Sequence, residues 1–104
     1  MSTAVLKSLP IVTVSASGTA VPLSAGSIDN VLAVYISCPA ANTGNIMVGD
    51  STVEAAGSMS GVEIAKGQVP LVISYPGQYI DLQQIYVDAL NAGDKAKVSY
   101  LVVV

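Results

Sequence analysis

Few residues in this chain are equipped for chemistry, and they are scattered. There are seven Asp and Glu residues, four lysines, one cysteine, and neither His nor Arg. Without an imidazole the chain has no His general base, no Ser-His-Asp or Cys-His nucleophile and no His-ligated metal. The nearest approaches to a carboxylate cluster are two. Asp50 follows Gly49 and precedes Ser51 and Thr52, with Asn42 and Asn45 nearby, and Asp88 and Asp94 flank a turn. Calcium takes about six to eight oxygens, several from clustered carboxylates, and neither group has that density. Both read instead as turn residues bonding local backbone. No two carboxylates form a recognisable acid–base pair, and the glycine turns follow neither the P-loop nor the dinucleotide pattern. No catalytic, cofactor-binding or metal-binding residue is assigned, and the chain is not read as an enzyme.

Two further residue types need a place. Cys38 closes the apolar run Val31–Cys38 and has no partner for an intrachain disulfide, so it reads as a small buried hydrophobe. Tyr75, Tyr79 and Tyr86 gather around Pro76-Gly77. They are either sandwich-rim residues with packed rings and wet hydroxyls, or the lining of a sugar-binding or contact surface.

Composition bounds the rest. In 104 residues, 52% are apolar and 11% charged, with a mean hydropathy of +0.63. That excludes a disordered segment, and the net charge of −3 repels phosphate, so no nucleic-acid partner is expected. No run approaches the ~18–20 apolar residues of a membrane helix, and Lys7, Ser8 and Pro10 interrupt any signal-peptide core, so no membrane association is expected. One domain spanning 1–104 fits this length. A domain so small cannot hide every apolar residue inside, and the excess points to burial against other subunits or a larger surface.

The elements that must position these residues are strands. Turn signals recur about every ten residues, with short runs rich in Val, Ile, Leu, Tyr and Thr between them, the pattern of an all-β sandwich or barrel. The runs place strands at Val5–Lys7, Pro10–Ala16, Thr19–Leu23, Val31–Cys38, Asn45–Val48, Val62–Ala65, Val69–Ser74, Ile85–Leu90 and Lys95–Val104. Val31–Ile36 is apolar on both faces and reads as a central strand covered on each side. The last strand ends in Leu101-Val102-Val103-Val104, which argues for a tail tucked against its own sheet or a neighbouring subunit. One segment is ambiguous. Leu82, Ile85, Tyr86, Ala89 and Leu90 fall at helical spacing behind a capping Asp81 and Gln84, while Ile85-Tyr86-Val87 favours a strand.

From Asn42 to Val104, Asn45-Ile46-Met47-Val48-Gly49-Asp50 is followed by a glycine-rich excursion and then Val62-Glu63-Ile64-Ala65-Lys66-Gly67-Gln68. Asp81-Leu82 leads to Ile85-Tyr86-Val87-Asp88, and Gly93-Asp94 and Val98-Ser99-Tyr100-Leu101 follow. With these features the stretch resembles the small jelly-roll or β-sandwich virion proteins of tailed bacteriophages, including capsid decoration (cement) proteins and domains of head or tail fibres. The resemblance implies an antiparallel, jelly-roll-like sandwich of about eight short strands, with the Ile85 run a strand and Asp81–Gln84 at most one helical turn. It implies a cofactor-free structural protein, often trimeric, made in the host cytoplasm and seated on the capsid exterior against the major capsid protein. The alternative is a receptor- or carbohydrate-binding module of a fibre or baseplate. Leu101, Val102, Val103, Val104, Tyr75 and Tyr79 are the expected interface residues.

Overall fold

Runs of β-branched and aromatic residues between turn residues become strands, and the strands pair antiparallel into two sheets. The computed structural model describes residues 3–104. Its strands are β1 (Ala4–Ser8), β2 (Val12–Thr13), β3 (Val21–Pro22), β4 (Val31–Ser37), β5 (Ile46–Gly49), β6 (Val62–Ile64), β7 (Leu71–Ser74), β8 (Tyr86–Ala89) and β9 (Lys95–Val103). The front sheet has the order β1-β9-β4-β7, with β2 also on β9, and the back sheet the order β3-β8-β5-β6. β1 and β2 act as one interrupted edge strand. Ser8 lies opposite Ser99 and Val12 opposite Ala96, so the edge carries one extra residue there, at Leu9-Pro10-Ile11. Pro10 has no N–H to donate and marks the break. Counted that way the sandwich has four strands in each sheet, in the order of a jelly roll.

Alternation then sorts the side chains. Ala96, Val98, Tyr100 and Val102 of β9 and Val31, Val34 and Ile36 of β4 face inward from the front sheet. Ile46, Val48, Val87 and Ala89 meet them from the back sheet. A bulge at Leu32 shifts the register between Val31 and Ala33 and keeps both segments of β4 in phase with the core.

The structure departs from the sequence expectations in the extent of two strands and in the covering of β4, and at the Ile85 run it gives the strand that the resemblance implies. Pro10–Ala16 shrinks to Val12–Thr13, since Pro10 has no N–H to begin the ladder and Val14 makes the last bonds, to Asp94 and Gly93. Thr19–Leu23 shrinks to Val21–Pro22, with one further bond from Leu23 to Ile85. The helical spacing in 81–91 yields only a 3-10 turn at Leu82–Gln84. The Asp81 carboxylate accepts from the Gln83 N–H at 3.0 Å, and Ile85 is already extended, with φ −104 and ψ 124. β8 is a strand because its inward residues Val87 and Ala89 pair beside Val48 and Ile46, and that burial overrides local periodicity. β4 is central in its sheet but covered on one face only, since Leu32, Tyr35 and Ser37 are half-buried on the other.

Cys38 lies 1% exposed just beyond β4. Its sulfur accepts from Asn42 Nδ2 at 3.2 Å and donates to the Gly44 carbonyl at 3.5 Å. Burial pushes its thiol pKa up, against the opposing pull of the Asn42 hydrogen bond. We predict two outcomes. Native protein reacts slowly with a thiol reagent and unfolded protein rapidly. Stability also falls as pH rises past the ordinary thiol value, because the unfolded chain releases the proton first. Rapid labelling of the native state contradicts this burial.

Candidate docking face

The two outer faces of the sandwich are finished differently, and the difference begins with Asp88. Tyr86 and Asp88 alternate with the inward Val87 and Ala89, so both point out from the back sheet, beside Met47 of β5. Asp88 is nevertheless 0% exposed. Its carboxylate accepts the Gly18 N–H at 3.0 Å and the Ala55 N–H at 2.8 Å. Those two bonds draw the 16–20 loop and the long β5–β6 connection over the sheet. Val53 and Ala55 pack on Met47 there, with Ala20 and Tyr86 against them. The connection returns through Gly61, whose φ of +114 and missing Cβ let it pass Val53 Cγ2 and the Val48 carbonyl, 2.6 and 2.7 Å from where a Cβ would sit. The back sheet therefore has its own cover.

Among the described residues the front sheet has none. Register places Leu6 beside Leu101, Ala33 and Ser74 in one row, and Ser8, Ser99, Tyr35 and Val72 in the next, all on the outer side. Val103 and Ala4 continue the surface along β9 and β1. Leu6 is 63% and Val72 54% exposed, large values for aliphatic side chains on a sheet. The charged residues in the strands of this sheet are Lys7, Lys95 and Lys97, and no carboxylate occurs in any of them. The result is a mainly apolar face with lysine at its margin.

The expected interface residues divide. Leu101 and Val103 lie on this face. Val102 points the other way, 6% exposed inside the core, so the tail is not a single patch. Val104 is 67% exposed, and its N–H extends the β1–β9 ladder to the Thr3 carbonyl at 2.9 Å. Tyr75 and Tyr79 lie at one end of the face, 65% and 62% exposed, in the turn that follows β7 and beside the face's residues Leu32 and Ser74. They flank an open groove of about 430 Å³ with Leu32, and Tyr79 also borders one of about 380 Å³ with Asp29, Asn30 and Asp81. Tyr86 does not join them, because it packs on the loop-covered face of the other sheet. Leu6, Tyr35 and Val72 were not singled out from sequence. They meet only through strand register between residues far apart in the chain.

Of the remaining carboxylates, Asp94 bonds backbone far away in the chain, while Asp50 and Asp81 bond residues two positions on. Asp94 accepts from the N–H groups of Thr43 and Gly44 at 2.8 and 2.9 Å. Asn42 exchanges hydrogen bonds with the Lys95 backbone at 2.8 and 3.0 Å. Asp50 makes the local turn expected of it, bonding the Thr52 N–H and hydroxyl, and the hydroxyl bond is the main cause of its lowered carboxyl pKa. Among the described residues no group of three or more His, Cys, Asp and Glu side chains is placed to hold a metal ion.

If Asp88 holds the cover, its loss leaves a buried N–H unpaired. Asp88→Ala is expected to lower unfolding free energy by about 3 kcal/mol in denaturant titrations and to raise amide exchange at Gly18 and Ala55. Unchanged exchange at both amides contradicts the assignment.

No protein-family model, no curated protein and no solved structure matches the chain.

Proposed function

We propose that this protein is a structural virion component, a capsid decoration (cement) protein. It binds the preformed head of a tailed phage through the open front face and stabilises it without performing chemistry. Its partners are the major capsid protein and further copies of itself, its place is the capsid exterior, and it is made in the host cytoplasm. The observation that carries this reading is the asymmetry of the sandwich. The chain covers the outer side of one sheet and leaves the other apolar, nearly uncharged and bare. The jelly-roll order supports the same class of role, although a fold by itself hosts many functions.

The size of the face sets how it works. Four strands about 4.8 Å apart and about five residues at 3.4 Å each give roughly 300 Å². A standard interface takes about 800 Å² from each partner. Even with all ~300 Å² counted as apolar, its burial contributes at most about 7.5 kcal/mol, and the serines of the face lower that, against the ~4–15 kcal/mol lost on association. One contact alone is therefore weak. Several copies held together convert it to firm binding, which is the logic of an oligomeric cement.

A receptor- or carbohydrate-binding module is the second reading. What favours it is the pair of exposed rings, Tyr75 and Tyr79, beside open grooves bordered by Asp29 and Asn30.

Purified protein added to expanded capsids that lack it should co-sediment and raise their heat resistance, with little change as salt is raised, since the contact is mainly apolar. Leu6→Glu combined with Leu101→Glu should abolish co-sedimentation while leaving the far-ultraviolet circular dichroism unchanged. Capsid binding that survives this double substitution, or selective binding to a glycan array without capsid binding, rejects the reading.

A further inference from the structure

We infer that two copies of this chain pair through β7, edge to edge and antiparallel, joining their front sheets into one. The jelly roll leaves four outermost strands, β1 and β7 in the front sheet and β3 and β6 in the back sheet. Three of them carry features that block pairing. β1 bears Lys7 and is broken at Pro10, β3 is two residues long and one is Pro22, and β6 is three residues long with Glu63 at its centre. β7, Leu71-Val72-Ile73-Ser74, contains neither charge nor proline. Its partner is β4, and among the described residues no other hydrogen bond reaches its backbone. Val69, immediately before it, is 83% exposed.

The occupant follows from symmetry. Pairing about a two-fold axis sets each strand against its own sequence, so a charged edge repels itself. On β6 the central axis sets Glu63 against its own copy, and on β1 an axis at Leu6 pairs Lys7 with Val5 but brings the two Lys7 side chains together on the diagonal of the same face. β7 alone combines adequate length with no such conflict.

Strand geometry also fixes the register. Leu71 and Ile73 face the core side, opposite Ile36 and Val34, while Val72 and Ser74 face out, opposite Tyr35 and Ala33. Residues directly opposed in a sheet share a face, so the axis must pass through a residue and not between two. An axis at Val72 would set Pro70, which has no N–H, opposite Ser74. An axis at Ile73 pairs Leu71 with Tyr75 and Val72 with Ser74, with no proline in the ladder. That register also covers Leu71 and Ile73, which lie partly buried at the rim of the core. Pro70 and Pro76 then bound the ladder at both ends and keep it from lengthening.

The pair is two-fold, unlike the trimer that the family resemblance implies. It also makes the two open faces continuous, roughly doubling their area toward the about 800 Å² of a standard interface. The pairing stands on the strand edges alone and does not depend on what the open face meets.

Sedimentation velocity tests it on the full chain. The wild type should run at twice 10.5 kDa. Val72→Lys, an exposed change, should halve that mass with unchanged circular dichroism. Ile73→Cys should form an intermolecular disulfide under mild oxidation, because the paired residues meet at the axis, while buried Cys38 in the wild type should not. Leu6→Glu with Leu101→Glu should remain a pair, so loss of capsid binding and loss of pairing are read separately. A monomeric wild type, an oligomer that Val72→Lys leaves intact, or an Ile73→Cys variant that stays uncrosslinked overturns the inference.

Discussion

Asp88 puts a carboxylate on the outward side of β8, where strand alternation would send it to water, and the chain closes over it instead. A buried carboxylate without hydrogen-bond donors is severely unfavourable, so the position is tenable only while the Gly18 and Ala55 N–H groups point at it. Meeting that requirement commits two distant loops to the same side of the molecule. Val53 and Ala55 arrive with them and bury Met47, so the polar anchor and the apolar cover hold each other in place. Both loops are thereby held on the back of the sandwich, and among the described residues no loop is drawn over the front sheet.

The front face has its own reason for staying intact while exposed. β9 runs nine residues and pairs with β1 and β2 on one side and β4 on the other, so its inward residues are locked into the core along their whole length. Leu101 and Val103 are presented outward by a strand that Val102 and Tyr100 fix from behind. A shallow, mainly apolar surface of this kind suits a flat partner. Its lysines lie at the margin, where they aid solubility without setting the strength of contact.

Much of the fold was legible because it rests on local signals. Turn residues spaced along the chain located every strand, and the Val31 run and the Leu101–Val104 ending stood out as apolar, while the pairing of β4 with β9 was not legible. The segment 81–91 was not decided by its own residues. Its helical spacing is real, and what defeats it is the seat that Val48 and Ile46 offer to Val87 and Ala89, a fact of tertiary packing. The docking face was legible only in part. Leu101 and Val103 showed as an aliphatic ending, but Leu6 and Val72 look like ordinary strand residues until register brings them alongside. Val102 looked equivalent to its neighbours, and only the direction of the pleat separates it from them. Asp88 read as a turn residue because sequence does not reveal that its donors sit far away in the chain.

The proposed function turns on whether the front sheet meets a capsid, and a cryo-electron-microscopy reconstruction of expanded capsids incubated with this protein reads that directly. The account predicts the front sheet against the capsid shell, with Leu6, Tyr35, Val72 and Leu101 within contact distance of the major capsid protein and the Asp88-anchored loops turned to solvent. Density that places the loop-covered back sheet, or the Tyr75 and Tyr79 end, against the shell with the front face exposed contradicts it.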